Sequence, residues 1–276
     1  MSTANIPLED NFADVVGKAQ RGLKLSDDVA ATRAGISVAE LGTFKDGQFN
    51  EAVARKLARA LDLGADTLVE LGKKAWYPPS HQLDGLAQFN TTYHDMTVNS
   101  YVVCDPKTKE AIVFDTGATA QPMLDFARQN GLKIQFILLT HTHVDHIADL
   151  KNLKATTGAP VYVGEKELFA DAEAFAAGKT FHVGSLKIES RQTSGHASGG
   201  ITFVVSGLGR RVAVVGDALF ACSMGGGMIS YEEALRTNRK EIFSLPDDTI
   251  VCPGHGPLTT VGEQKRHNPF YPEFQK

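Results

Sequence analysis

Within residues 136–150, FILLTHTHVDHIADL, the side chains His141, His143, Asp145 and His146 fall in six positions directly after an apolar run. Imidazole and carboxylate at that density suit zinc first, and iron or manganese as well, because all three accept nitrogen and oxygen ligands. In an extended segment alternate residues face the same side, so His141 and His143 can converge on one point. Asp145 and His146, at the turn that follows, can then face a second point nearby. One turn does not supply enough ligands for two cations. His196 in TSGHASGG, Asp217 in VAVVGDALF and His255 in VCPGHGP offer the rest. Each follows an apolar strand pattern or sits in a Gly/Ser/Pro turn, where a scaffold presents functional groups. His81, His94, His182 and His267 are isolated and read as structural or surface residues. Asp115, in VFDTGA, ends a strand pattern and reads as a hydrogen-bonding group rather than a ligand.

The elements that must position these residues change in kind along the chain. From Phe12 to Lys74 the apolar spacing is helical, punctuated by Gly22, Gly35, Gly47 and Gly64, and predicts a module of four or five helices. After WYPPSH, residues 76–81, strand patterns alternate with helical ones, which predicts an α/β region. The expected division is a helical module over 1–75, a linker over 76–84 and an α/β domain over 85–276. Helices are expected at Pro122–Asn130, His146–Thr157, Lys166–Ala176 and Tyr231–Ser244. The 276 residues suffice for a sizeable core, and 42% hydrophobic with 22% charged residues is ordinary for a globular protein. A net charge of −4 gives no global attraction to nucleic acid or anionic membranes. No stretch has the length and apolarity to span a bilayer, no secretory signal pattern opens the sequence, and the separated Cys104, Cys222 and Cys252 suit buried thiols. The expectation is a cytoplasmic protein.

The ordered set THTHVDH, SGHASGG, GDALF and PGHGP resembles the metallo-β-lactamase superfamily, and within it the branch of glyoxalase II and its thioesterase-like relatives, over about residues 85–270. The resemblance implies an αββα sandwich with the site at one edge. It implies that His141, His143 and His196 hold one divalent metal ion, that Asp145, His146 and His255 hold the other, and that Asp217 bridges them. Two such cations can share a water, lower its pKa and stabilise the oxyanion formed when it attacks a carbonyl. Asp145 is then the candidate catalytic group that orients this nucleophile or takes its proton.

The substrate expected is a small activated acyl compound such as a thioester. Glyoxalase II holds glutathione with basic and tyrosine side chains after the bridging aspartate, and here no Lys, Arg or Tyr lies between Asp217 and Tyr231. The candidate substrate contacts are therefore Gly225, Gly226 and Gly227, where the backbone can be approached closely, and Lys265 and Arg266 near the C-terminus. Persulfide dioxygenases, with one iron, share GDALF, and lactonase or phosphodiesterase chemistry fits the same ligands. A reading of another class is a ligand-sensing regulator, since residues 25–71 loosely resemble an Xre-type helix-turn-helix. Against DNA binding, residues 1–75 hold ten Lys or Arg against eleven Asp or Glu, and the segment Ser37 to Lys45 carries a single basic residue. The helical module is instead expected to serve interaction or homodimerisation.

Overall fold

The computed structural model describes residues 6–167 and 169–275. The chain opens with helices α1 (Phe12–Gly22), α2 (Asp27–Ala34), α3 (Val38–Lys45), α4 (Glu51–Ala60) and α5 (Ala65–Gly72). Side-chain caps start four of them, from Asn11, Ser26, Ser37 and Asn50, each accepting a backbone N–H that the first turn would leave orphaned. Then follow β1 (Leu86–Tyr93), β2 (Met96–Cys104), β3 (Glu110–Phe114), α6 (Gln121–Asn130), β4 (Lys133–Leu138), α7 (Leu150–Thr157), β5 (Val161–Gly164) and β6 (Glu173–Phe175). The remainder is β7 (Thr180–Val183), β8 (Leu186–Gln192), β9 (Ile201–Leu208), β10 (Arg210–Gly216), α8 (Tyr231–Glu241), β11 (Ile250–Pro253), β12 (Thr259–Thr260), α9 (Val261–His267) and a short 3-10 turn at Pro272–Phe274.

Two six-stranded sheets result, in the orders β1-β2-β3-β4-β5-β6 and β12-β11-β10-β9-β8-β7. Consecutive strand residues part to opposite layers, as the pleat requires. Ile112, Phe114, Val205, Val212 and Val214 join the core between the sheets. Val102 and Val113 face α6 and α7 on the outside of the first sheet. Val204, Ala213, Val215 and Val251 face outward from the second. The order helix, sheet, sheet, helix is the expected αββα sandwich.

The N-terminal helices belong to the outer layer on the second sheet. Val15, Val16, Ala19, Leu41, Leu57 and Leu68 lie in one contiguous apolar cluster with Val215, Val251, Val261 and Tyr271. Trp76 stacks on His267 of α9 at 4.0 Å between ring centroids, and His267 Nδ1 meets Glu70 of α5 at 2.7 Å. Phe44 is buried in this cluster, and Phe49 and Trp76 pack against it. Lys45, the basic residue of α3, pairs with Asp27 at 2.9 Å.

Two expected helices differ. Of the helix expected at Lys166–Ala176, which includes residue 168 outside the described residues, Glu173–Phe175 is instead β6, because Tyr162–Gly164 captures it as a parallel edge strand and Phe175 enters the core between the sheets. Such tertiary pairing overrides the helix propensity of Glu, Lys and Ala. The helix expected at His146–Thr157 begins only at Leu150, since residues 141–149 form the loop of the candidate ligands, held by the Thr116 N–H donating to the His146 carbonyl at 2.7 Å. β6, β7, β12 and α9 were not marked by the sequence. They run only two to seven residues, too short for a periodic signal.

Candidate metal centre

The loops after β4, β8, β10 and β11 leave the same end of the two sheets and carry His141 to His146, His196, Asp217 and His255. One ligand atom from each of His141, His143, His196 and Asp217 lies within 4.8 Å of the others, and the same holds for Asp145, His146 and His255. Asp217 faces both groups: Oδ2 is 3.4 Å from His196 Nε2 and 3.4 Å from His255 Nε2, and Oδ1 is 3.2 Å from His146 Nε2.

The polar atoms around the imidazoles fix which nitrogen points inward. His146 Nδ1–H donates to Asp115 Oδ2 at 2.9 Å, His255 Nδ1–H to the Thr97 carbonyl at 2.6 Å, and His196 Nδ1–H to the Gly226 carbonyl at 3.0 Å. Thr140 Oγ1–H donates to Asp115 Oδ2 at 2.7 Å and accepts from His141 Nδ1–H at 3.0 Å. Nε2 of each of these four rings is thereby the nitrogen turned to the centre. Asp115, nearly fully buried, orients His146 directly and His141 through Thr140. Glu167 is the second organiser. It accepts from the Thr142 N–H and Oγ1–H at 3.2 and 2.7 Å and from the Gly199 N–H at 2.6 Å, tying the loop of His141 to that of His196.

These residues fit divalent cations on the evidence of their own contacts. His146 Nε2 and Asp217 Oδ1 are buried and face each other at 3.2 Å without a well-formed hydrogen bond, an arrangement that a cation between such donors completes. Three ring nitrogens converge, His143 Nδ1 being 3.1 Å from His141 Nε2 and 3.0 Å from His196 Nε2. Tetrahedral metal–nitrogen bonds of about 2.0–2.1 Å place neighbouring ligand atoms roughly 3.3 Å apart, close to these separations. In Gly254 the missing side chain is itself a requirement, since a Cβ would overlap Asp217 Oδ1 and stand 2.6 Å from His146 Cε1.

Electrostatics separates the two halves of the metal-free site. Burial holds His141 and His196 below the ordinary histidine range. Burial also opposes charge on His146 and His255, yet the Asp217 carboxylate, helped by Asp115 and by Asp145 respectively, raises them to about 10 and about 11. Burial would raise Asp217, but His146 and His255 hold it well below the usual carboxylate range. A cation at these atoms would compete with the protons that Asp217 favours on His146 and His255.

A cavity of about 600 Å³ opens over the ligands and is lined in part by His143, Asp145, His196, Asp217 and His255. Gly225, Gly226 and Gly227 line it as well. Lys265 and Arg266 do not. α9 directs Lys265 to Asp247, at 2.6 Å, and Arg266 to a different depression beside Ala65 and Phe274. Sequence reasoning missed Glu9, Lys18, Arg21 and Gly22, which form a wall of the cavity from the N-terminal segment. No local pattern could have shown this, because it depends on how α1 docks on the second sheet.

Comparison with known proteins agrees with this geometry. The sequence model of a family described as the Metallo-beta-lactamase superfamily matches residues 95–255. A probable metallo-hydrolase of Streptococcus pyogenes serotype M6 is 30% identical over 211 residues, 66% of this chain and 89% of that protein. The crystal structure of BLEG-1 B3 metallo-beta-lactamase superposes with a TM-score of 0.59 at 28% identity, over 67% of this chain and 99% of that one. That of ETHE1 from Myxococcus xanthus does so with a TM-score of 0.60 at 24% identity, over 68% of this chain and 85% of that one, a likeness of fold.

Proposed function

Because this chain belongs to the metallo-beta-lactamase superfamily, we propose that it is a binuclear metal-dependent hydrolase acting on a thioester or a similarly activated acyl compound. The observation that carries this reading is Asp217, one buried carboxylate facing both His196 and the pair His146 and His255, beside a complete second group of Asp145, His146 and His255. His141, His143 and His196 would hold one cation, Asp145, His146 and His255 the other, and Asp217 both; zinc, iron or manganese suits these donors.

When bound, the cation pair supplies Lewis acidity that brings the pKa of a water towards neutrality and offsets charge on the substrate carbonyl. The chain's own residues do the rest. Asp145 lines the cavity with its side chain 12% exposed and its Oδ2 3.3 Å from His255 Nε2, so it can orient the attacking water and take its proton. The water oxygen bonds to the acyl carbon, the carbon–sulfur bond breaks, and the departing thiolate receives the proton. His255, fixed by Thr97, and His146, fixed by Asp115, keep Asp145 and Asp217 aimed into the site. The cavity volume suits a small acyl compound.

The test pairs metal analysis with two assays. Purified protein should carry up to two ions per chain, release thiol from S-lactoylglutathione or a simple acyl thioester, and lose that activity on chelation. Oxygen uptake with glutathione persulfide in place of thiol release, at one iron per chain, would overturn the proposal.

A further inference from the structure

The matched family residues begin at 95, yet Glu9, Lys18, Arg21 and Gly22 form part of the cavity wall. Helix α1 is held there firmly. Phe12, Val15, Val16 and Ala19 are buried. Asp10 accepts from Lys18 and from the buried Ser223 hydroxyl, Lys18 Nζ also donates to the Met224 carbonyl at 2.9 Å, and Gly22 lies against the ring of Tyr231. A group carried by α1 is thus as fixed as one on a strand, which is what substrate recognition needs.

The cavity's cations can be sorted by what they already hold. Lys18 is committed to Asp10 and Met224, with its side chain 15% exposed. Arg21 is exposed, folds back along α1 over Gly17, and makes no ion pair or side-chain hydrogen bond with any described residue. Glu9 is the opposing carboxylate, but it lies towards the metal end, its Oε2 3.9 Å from His255 Nδ1. The rest of the mouth is apolar: Met96 and Met228 line the cavity while 43% and 74% exposed.

From this arrangement we infer that Arg21 receives an oxyanion of the substrate, a carboxylate or a phosphate, while Met96 and Met228 cover its apolar part, so that the preferred substrate is an amphiphilic anionic acyl compound. The inference rests on the acyl-hydrolase reading above. A guanidinium presents a planar fork that matches either oxyanion with two parallel hydrogen bonds, and an apolar surround strengthens them.

Three probes test it with metal-loaded, full-length protein: hexanoyl-pantetheine, which is neutral; adipoyl-pantetheine, with a carboxylate on the acyl end; and hexanoyl-4′-phosphopantetheine, with a phosphate on the thiol end. One anionic probe should exceed the neutral one in kcat/KM by roughly ten- to a hundredfold, the size of a charge-assisted contact. Which probe wins identifies the oxyanion. Arg21→Gln should bring that ratio close to one, mainly through KM, and Arg21→Lys should keep more of it. A ratio near one in the wild type, or one unmoved by Arg21→Gln, overturns the inference and leaves thioester hydrolysis standing. If none of the three is hydrolysed, the acyl reading fails, and calorimetric titration with the unreactive thioether analogues decides the inference separately. Tighter binding of an anionic thioether, lost in Arg21→Gln, supports it, and equal affinities refute it.

Discussion

Replacing Asp115 with Asn removes a charge and keeps a shape, and the structure says which contact must fail. Oδ1 accepts from the Thr140 N–H at 2.8 Å, and Oδ2 accepts both from Thr140 Oγ1–H at 2.7 Å and from His146 Nδ1–H at 2.9 Å. Three donors face two oxygens. An amide has one oxygen, so its NH₂ must confront either the Thr140 backbone N–H or the His146 ring N–H, unless the imidazole changes tautomer and puts its hydrogen where a cation belongs. The backbone at Asp115, φ 55°, is one that Asn adopts readily, so the exchange tests the contact and not the fold. A lost hydrogen bond to a charged group is worth about 1.5–3 kcal/mol, or roughly ten- to a hundredfold in an equilibrium. Loss of an orienting partner of a metal ligand weakens metal affinity by the same range, about 10–100-fold. Competition with a chromophoric chelator should therefore show both metal affinities reduced, the His146 half more than the His141 half. Thr140→Val, which breaks only the relay to His141 Nδ1, should weaken the first half alone. Two affinities within about twofold of the wild type in folded Asp115→Asn protein would refute the orienting role.

Glu167→Ala leaves the donors of Thr142 and Gly199 without their shared acceptor. Three donors are released, of which those of half-buried Thr142 can turn to water, so a total of roughly 2–4 kcal/mol is expected; in a chain of this length that corresponds to a fall in Tm of about 3–8 °C, read by calorimetry, and a change under about 1 °C would count against the stitch between the two loops. In Gly225→Ala the new Cβ overlaps the Asp217 carbonyl oxygen and stands 2.8 Å from His196 Nδ1, so metal content should drop, whereas Gly226→Ala meets only Met228 Cγ at 3.8 Å and should retain its metal. Equal metal content in the two variants would show that the loop yields freely. Asp105, held at about 2 by the backbone N–H groups of Ser185 and Lys107 and by the Ser185 hydroxyl, ties the β2–β3 turn to the β7–β8 turn. A depressed carboxylate contributes stability that is fully present above its unfolded value of about 3.9 and is lost as pH falls towards 2. The urea midpoints of wild type and Asp105→Asn should therefore differ at pH 6 and converge by about pH 2, and a gap that persists in acid would contradict the assignment.

The motifs that carry the candidate ligands stand out in the sequence because coordination restricts residue type. Only imidazole and carboxylate serve there, and the loops after β4, β8, β10 and β11 present them as short punctuated motifs at the ends of apolar runs. The α/β alternation was legible in the strand and helix patterns, whereas the αββα layering came only with the resemblance, because pairs such as Ile112 and Val113, or Val204 and Val205, are apolar on both faces and do not say which face meets which layer. The segment 166–176 misled because its residues favour a helix locally while Phe175 is worth more in the core between the sheets. Lys265 and Arg266 misled in another way. They were sought because the loop after Asp217 offers no cation, and that deficit is real, but α9 presents them to Asp247 and to a separate depression.

Nothing in the grammar of α1 says which of its polar residues looks into the cavity. Phe12, Val15, Val16 and Ala19 form its apolar stripe, and a helical wheel leaves Asp14, Lys18 and Arg21 on the polar remainder. Docking on the second sheet is what separates them. Asp14 turns to cap Asn11, Lys18 locks onto Asp10 and the Met224 carbonyl, and Arg21, in the last turn of the helix, is left at the mouth with no side-chain partner among the described residues. A residue outside the matched family segment thereby enters the site only through tertiary structure, and changes at that position alter what the cavity receives without touching the ligands beneath it.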